Sequence, residues 1–273
     1  MPDDDVISIA TPIPTRARHG LPERVRLMGM PIDPVTNAQA VAHIVSSATA
    51  GRGGWVITPN LDQLRLYHHR PELRGMYERA DLILADGMPL LWAAKVQQTP
   101  LPERVAGSEL IYTLSEAAAK AKLSAYFLGG NPGMAEGAGE RLARMYPGLR
   151  VAGHRCPPMG FDKSDGEMAA IVEDVSAARP DIVYVGLGFP KQEKLIERIR
   201  HAAPRAWFLG IGVSFSFVCG EVQQAPRWMR RVGLEWVHRM VQEPGRLFRR
   251  YVIEDIPFAL RLMADVTEAR RRN

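Results

Sequence analysis

The chain has 273 residues, 46% of them apolar and 24% charged, with a formal net charge of +5 and a pI near 9.4. That is enough chain to bury a substantial core in one large domain or two small ones, in a composition ordinary for a globular protein. The uncharged apolar run Ala206 to Gly220 falls short of the roughly 20 residues that span a bilayer, and Cys156 and Cys219 match no metal or redox spacing.

Residues 1–22 hold four prolines and no apolar period, which predicts a loose arm. Its start, Met1-Pro2-Asp3-Asp4-Asp5, is acidic rather than basic, so a secretory signal is not expected and a cytoplasmic protein is. From residue 23 to 223, short apolar runs alternate with helical patterns. Strands are predicted at Arg24–Met28, Trp55–Thr58, Leu82–Ala85, Ala125–Leu128, Val151–Gly153, Ile182–Val185 and Trp207–Ile211. Helices are predicted at Asn37–Ala48, Pro71–Arg79, Pro89–Val96, Gly107–Ala121, Gly133–Met145, Asp165–Ala178 and Lys191–His201. This alternation predicts an α/β body: a Rossmann-like parallel sheet with helices on both faces.

Residues 224–273 differ from that body. They carry 11 arginines, no lysine and 6 acidic residues, a net of +5 that equals the charge of the whole chain. Arginine without lysine favours forked binding of phosphate over diffuse attraction. Arg239, Arg246 and Arg250 step by seven and four, one face of a continuous helix, while Pro244 predicts a break near Glu243. Trp228, Trp236, Phe248, Tyr251 and Phe258 interleave with the arginines. That mixture suits a helical appendage lying on an anionic membrane surface, or simple packing of the segment onto the body. Nucleic acid is a weaker explanation of the charge, because Glu235, Glu243, Glu254 and Asp255 sit among the arginines.

The strand ends carry the chemistry. Thr58-Pro59-Asn60, Asp86-Gly87, Gly129-Gly130-Asn131 and Gly186-Leu187-Gly188 each follow an apolar run and precede a helix. In an open parallel sheet these ends line one crevice, where small residues and helix N-termini admit phosphate. Lys191 and Phe215 occupy the third glycine position of the two candidate GxGxxG runs, and no GxxxxGK[ST] loop occurs. The pattern favours a nucleotide binder other than a nicotinamide or ATP enzyme. Asp86 is either the cap of the following helix or a general base at the crevice floor. Asn60 and Thr58 either close a turn or bind a sugar; Gln192 is either solvated or turned into the crevice; Arg104 is a surface arginine or a phosphate clamp. Asp3-x-Asp5 is the one Asp-x-Asp run and sits in the arm, so neither a metal nor a cofactor is expected.

Five motifs occur in one order: Thr58-Pro59-Asn60; Ala85-Asp86-Gly87-Met88-Pro89; Arg104-Val105-x-Gly107; Gly186-Leu187-Gly188-x-Pro190-x-Gln192-Glu193; and Leu234-Glu235-Trp236-x-x-Arg239-x-x-x-Glu243-Pro244-x-Arg246. Over about residues 25–252 the set resembles the WecG/TagA/CpsF glycosyltransferase family. The resemblance implies an inverting, metal-independent transfer from a UDP-sugar to a polyprenyl-diphosphate-linked saccharide at the inner face of the bacterial membrane. It implies Asp86 as base, with Thr58, Asn60, Arg104 and Gln192 in the pocket beside the strand-end residues Gly130, Asn131, Gly186 and Gly188. Arg239, Arg246 and Arg249 would belong to a C-terminal appendage that covers the pocket and engages diphosphate. The chain departs from the family pattern at Ser216, where an aspartate is usual, and at Gln224, where an arginine is usual. Those two changes keep a second reading in view, a nucleotide-sugar-binding scaffold with weak catalysis. Self-association through the apolar tail is a further expectation.

Overall fold

A computed structural model describes residues 20–226, 228–229 and 233–272, without the side chains of Arg246, Ala269 and Arg272. All but the last three residues of the expected N-terminal arm lie outside it.

The described chain opens with a hairpin. β1 (Val25–Leu27) and β2 (Met30–Ile32) pair antiparallel across Met28 and Gly29, whose φ angles are 45° and 86°. Two successive positive φ values give the tight turn whose twist suits a two-residue hairpin. The expected strand Arg24–Met28 is therefore not part of the parallel sheet: left-handed Met28 ends it and sends the chain back.

The main sheet holds β3 (Gly54–Ile57), β4 (Leu82–Ile83), β5 (Ser124–Gly129), β6 (Arg150–Arg155), β7 (Ile182–Gly186) and β8 (Trp207–Gly210). All pair parallel, in the order β4-β3-β8-β7-β5-β6. Side chains alternate between two buried layers, as the strand period requires. Trp55, Ile57, Tyr126, Leu128, Val183, Val185 and Phe208 face one layer. Val56, Ala125, Phe127, Ile182, Tyr184, Trp207 and Leu209 face the other.

Helices cover both layers. α1 (Asn37–Thr49) is held by a capping box between Thr36 and Gln39. α2 (Leu61–His69) and α3 (Arg74–Arg79) lead from β3 to β4, with a 3-10 turn at Pro71–Leu73 where the sequence predicted one helix over Pro71–Arg79. α4 (Met88–Val96) and α5 (Gly107–Lys120) carry the chain from the β4 edge across to β5. α6 (Met134–Met145), α7 (Asp165–Ala178), α8 (Lys191–Ile199) and α9 (Ser214–Cys219) follow β5, β6, β7 and β8.

The C-terminal segment is helical and broken where proline predicts. α10 (Glu235–Gln242) stops before Glu243, and α11 (Pro244–Phe248) begins at the proline. A π-helical turn, Arg249–Asp255, then joins α12 (Ile256–Arg272). Phe258, Leu262 and Val266 recur every four residues on α12 and are buried in the same cluster as Leu90, Ala93 and Ala94 of α4. Burial of each large side chain stabilises by roughly 1.5–3 kcal/mol, which anchors this segment beside the carboxyl end of β4. Among the described residues no helix is long and apolar enough to cross a membrane.

Candidate active site

Two cavities meet at the carboxyl ends of the strands. The larger, about 870 Å³, is lined by Thr58, Asn60, Asp86, Gly130, Asn131, Gly186, Gly188 and Gln192 among others. The smaller, about 280 Å³, lies between α4 and the C-terminal helices and is lined by Met88, Pro89, Trp92, Arg104, Trp236, Tyr251 and Ile256. Asn60, Asp62, Asp86, Glu235, Arg239 and Arg250 border both.

Asp86 is fixed by its backbone. Its N–H donates to the Pro59 carbonyl at 2.8 Å, and the Ala85 carbonyl accepts from Val105 N–H at 2.8 Å. Gly87, at φ 141°, then turns the chain into α4, which has no side-chain cap. The bland reading of Asp86 as a helix cap therefore does not apply; its carboxylate accepts from Arg104 Nη1 at 3.4 Å. Burial pushes this carboxyl up from 3.8 to about 7; Arg104 draws it down, Glu235 and Glu109 push it up, and Arg239 draws it down. The side chain nonetheless keeps 28% of its surface exposed, which faces the cavities it lines.

Arg104 holds three carboxylates at once. Nη1 also donates to Glu235 Oε2 at 3.1 Å and Nη2 to Glu109 Oε1 at 2.8 Å. It lines the smaller cavity, not the larger one. The guanidinium thus ties β4's end to α5 and to α10.

The other crevice residues divide by how their polar atoms are used. Thr58 Oγ1 donates to the Gly210 carbonyl at 3.4 Å, and Asn60 Oδ1 accepts from Gln63 N–H at 3.1 Å as the cap of α2. Gln192 is neither solvated nor free in the crevice. It is 3% exposed; its Oε1 accepts from Gly188 N–H at 3.1 Å and Gly212 N–H at 3.0 Å, and its Nε2 donates to Glu193 Oε1 at 2.8 Å. Gln192 therefore clamps the loops after β7 and β8 together. Gly210 makes room for it: a Cβ there would stand 2.5 Å from Gln192 Nε2. Glu193, which closes the fourth sequence motif without an expected role, is 1% exposed, and burial raises its carboxyl from 4.5 to about 7 while its Gln192 hydrogen bond lowers it. Gly130 N–H donates to the Gly186 carbonyl at 2.7 Å, closing the wall between β5 and β7.

The C-terminal arginines also divide. Arg239 lines both cavities, and among the described residues no ion pair is found for it. Arg250 lines both as well, with Nε 3.1 Å from Asp62 Oδ2. Arg249 lines neither; its side chain is 81% exposed and pairs with Glu254 at 3.5 Å. The side chain of Arg246 lies outside the described residues. Arg250 thus stands at the cavities in the position expected for Arg249. The spacing by seven and four had signalled it.

Ser216 lines the larger cavity, and its Oγ donates to Glu221 Oε2 at 3.4 Å. Gln224 donates to the Ser108 carbonyl at 3.4 Å. Cys156 lies at the cavity wall, half-buried. Among the described residues no three His, Cys, Asp or Glu side chains are grouped to hold a metal ion.

An open parallel sheet, its crevice at the strand ends and a partly buried carboxyl raised to about 7 together point to an α/β enzyme. The chain belongs to the WecG/TagA/CpsF family of glycosyl transferases, whose model matches residues 25–272. It is similar to the N-acetylglucosaminyldiphosphoundecaprenol N-acetyl-beta-D-mannosaminyltransferase of Bacillus spizizenii, 32% identical over 71% of this chain and 74% of that one. Enzymes of the same name match from Bacillus subtilis, 32% identical over 61% of this chain and 63% of theirs, and from Staphylococcus aureus, 25% identical over 91% and 94%.

Proposed function

We propose that this glycosyltransferase moves a sugar from a UDP-sugar to a polyprenyl-diphosphate-linked saccharide, with inversion and without a metal, while resting on the inner surface of the membrane. The observation that carries the reading is that Asp86 borders both cavities. The larger cavity, walled by glycine-rich loops, suits a nucleotide-sugar; the smaller, walled by Trp92, Trp236, Tyr251 and Ile256, suits an acceptor sugar and the first carbons of its lipid.

The chemistry follows from that arrangement. An acceptor hydroxyl attacks the anomeric carbon from the side opposite UDP, so the new bond has inverted configuration. Asp86 accepts the hydroxyl proton as the bond forms, worth roughly 10²–10⁴-fold in rate. A carboxyl near 7 is about half ionised at neutral pH and basic enough to take the proton. Negative charge grows on the departing diphosphate, and Arg239 and Arg250 are the cations that border both cavities to meet it. Exposed Ile253, Ile256 and Leu260 step by three and four along the C-terminal helices, with Trp92 exposed on α4. An apolar stripe beside the smaller cavity, in an arginine-rich segment, suits contact with an anionic leaflet.

The test is a transfer assay of the full chain on vesicles. The donors are UDP-N-acetylmannosamine, UDP-N-acetylglucosamine and UDP-glucose, the acceptor a prenyl-diphosphate-linked N-acetylglucosamine. UDP release together with a lipid-linked disaccharide of inverted configuration, insensitive to a chelator, is expected with one of the donors. Retained configuration, or release equal with and without acceptor for every donor, would overturn the proposal.

A further inference from the structure

We infer that Glu235, carried by the C-terminal helices, is a positioning residue for the reaction: by sharing the guanidinium that Asp86 also contacts, it keeps Asp86 from being locked into a private ion pair with Arg104. The inference rests on the reading of Asp86 as the base.

The geometry is one nitrogen with two acceptors. Arg104 Nη1 stands 3.1 Å from Glu235 Oε2 and 3.4 Å from Asp86 Oδ1, so Glu235 holds the shorter contact. The Arg104 side chain is only 11% exposed, while Asp86 at 28% and Glu235 at 26% meet the cavities, so water screens the two pairs in part but does not separate them. A carboxylate alone with a buried arginine is held ionised and becomes a poor proton acceptor. A second carboxylate on the same nitrogen divides that hold and repels the charge on Asp86.

The groups facing Asp86 come from three places. Arg104 lies in the loop between α4 and α5, Glu109 on α5, and Glu235 and Arg239 on α10. Asp62 and Arg250 line the same cavities and pair with each other at 3.1 Å. Glu109 takes the other arginine nitrogen, Nη2, and belongs to the body of the fold. Glu235 is thus the acidic group that reaches Arg104 from the C-terminal segment. The balance that leaves Asp86 near 7 includes its charge. With those helices undocked, Nη1 would turn wholly to Asp86. The base is therefore strong only while the segment that walls the smaller cavity is in place, which couples proton acceptance to closure over the acceptor.

The experiment compares the full chain with Glu235→Gln and Glu235→Asp. Aspartate side chains are labelled with ¹³C, and the Asp86 signal is assigned by its absence in Asp86→Asn. Glu235→Gln is expected to shift the Asp86 titration downward from about 7. The acidic limb of the kcat–pH profile should move with it, and the plateau kcat should fall several-fold because the base is weaker. Glu235→Asp keeps the charge one methylene further back and should return the midpoint toward the wild-type value. An Asp86 midpoint that is unchanged or higher in Glu235→Gln overturns the inference. A midpoint that falls while the kcat profile stays put supports the tuning by Glu235 and overturns Asp86 as the base.

Discussion

Replacing Asp86 with asparagine should make the protein more stable above neutral pH while removing its activity. The unfolded chain loses the Asp86 proton near 3.8 and the folded chain near 7. Between those values the folded state holds the extra proton, so wild-type stability falls as pH rises across the window. The full cost is present above pH 7. Moving a carboxyl from 3.8 to about 7 corresponds to about 4 kcal/mol, at 1.36 kcal/mol per factor of ten. The side chain is 28% exposed, so solvent screening makes about 4 kcal/mol a ceiling. Asparagine keeps an oxygen for Arg104, which retains Glu109 and Glu235. The assay is urea denaturation of both proteins at intervals from pH 4 to pH 8.5. The stability difference should open steadily between pH 4 and 7 in favour of Asp86→Asn and then level off. A difference independent of pH, or a less stable Asp86→Asn at pH 8, would refute the assignment of a partly buried, costly carboxylate.

Three further outcomes follow from other residues. Arg239→Gln should lower transfer by roughly 10²–10³-fold, as loss of one preplaced donor does, with stability changed by less than about 0.5 kcal/mol; Arg249→Gln, away from the cavities, should lower it less. Parallel kinetics and denaturation curves check this pair. Glu193→Gln keeps an acceptor for the Gln192 amide and removes a buried charge whose cost develops between pH 4.5 and about 7, so at pH 8 it should gain up to about 3 kcal/mol. Glu193→Leu should instead free Gln192 and raise the KM for UDP-sugar; equal KM values in the two variants would remove Glu193 as the residue that orients the clamp.

Much of the architecture was legible because the apolar runs of β3, β5, β7 and β8 are buried on both sides, and those of β5, β7 and β8 end in glycine. The same punctuation, with Asp86 closing the apolar run of β4, exposed the crevice residues Asp86, Gly130 and Gly186. What escaped the sequence was decided by packing. α2 was missed because it is nine residues long and its weakly apolar pattern runs into His68-His69 and Pro71. α9 was missed because its phenylalanines continue the apolar run of β8. No sequence signal tells a Gln192 that faces ligand from one whose oxygen is taken by two amides of neighbouring loops. Arg250 rather than Arg249 borders the cavities because it lies eleven residues, about three helical turns, after Arg239, so helical periodicity returns it to the same face. The hairpin likewise depends on Met28 adopting a conformation that L residues seldom take.

The measurement that bears most directly on Asp86 as the shared floor of two substrate cavities is a pair of numbers from Asp86→Asn: its Kd for the UDP-sugar donor and its single-turnover rate of transfer to the prenyl-diphosphate acceptor. A Kd within a few-fold of wild type and a rate lower by roughly 10²–10⁴-fold are expected. A rate within a few-fold of wild type, or a loss explained wholly by weaker donor binding, would contradict that role of Asp86.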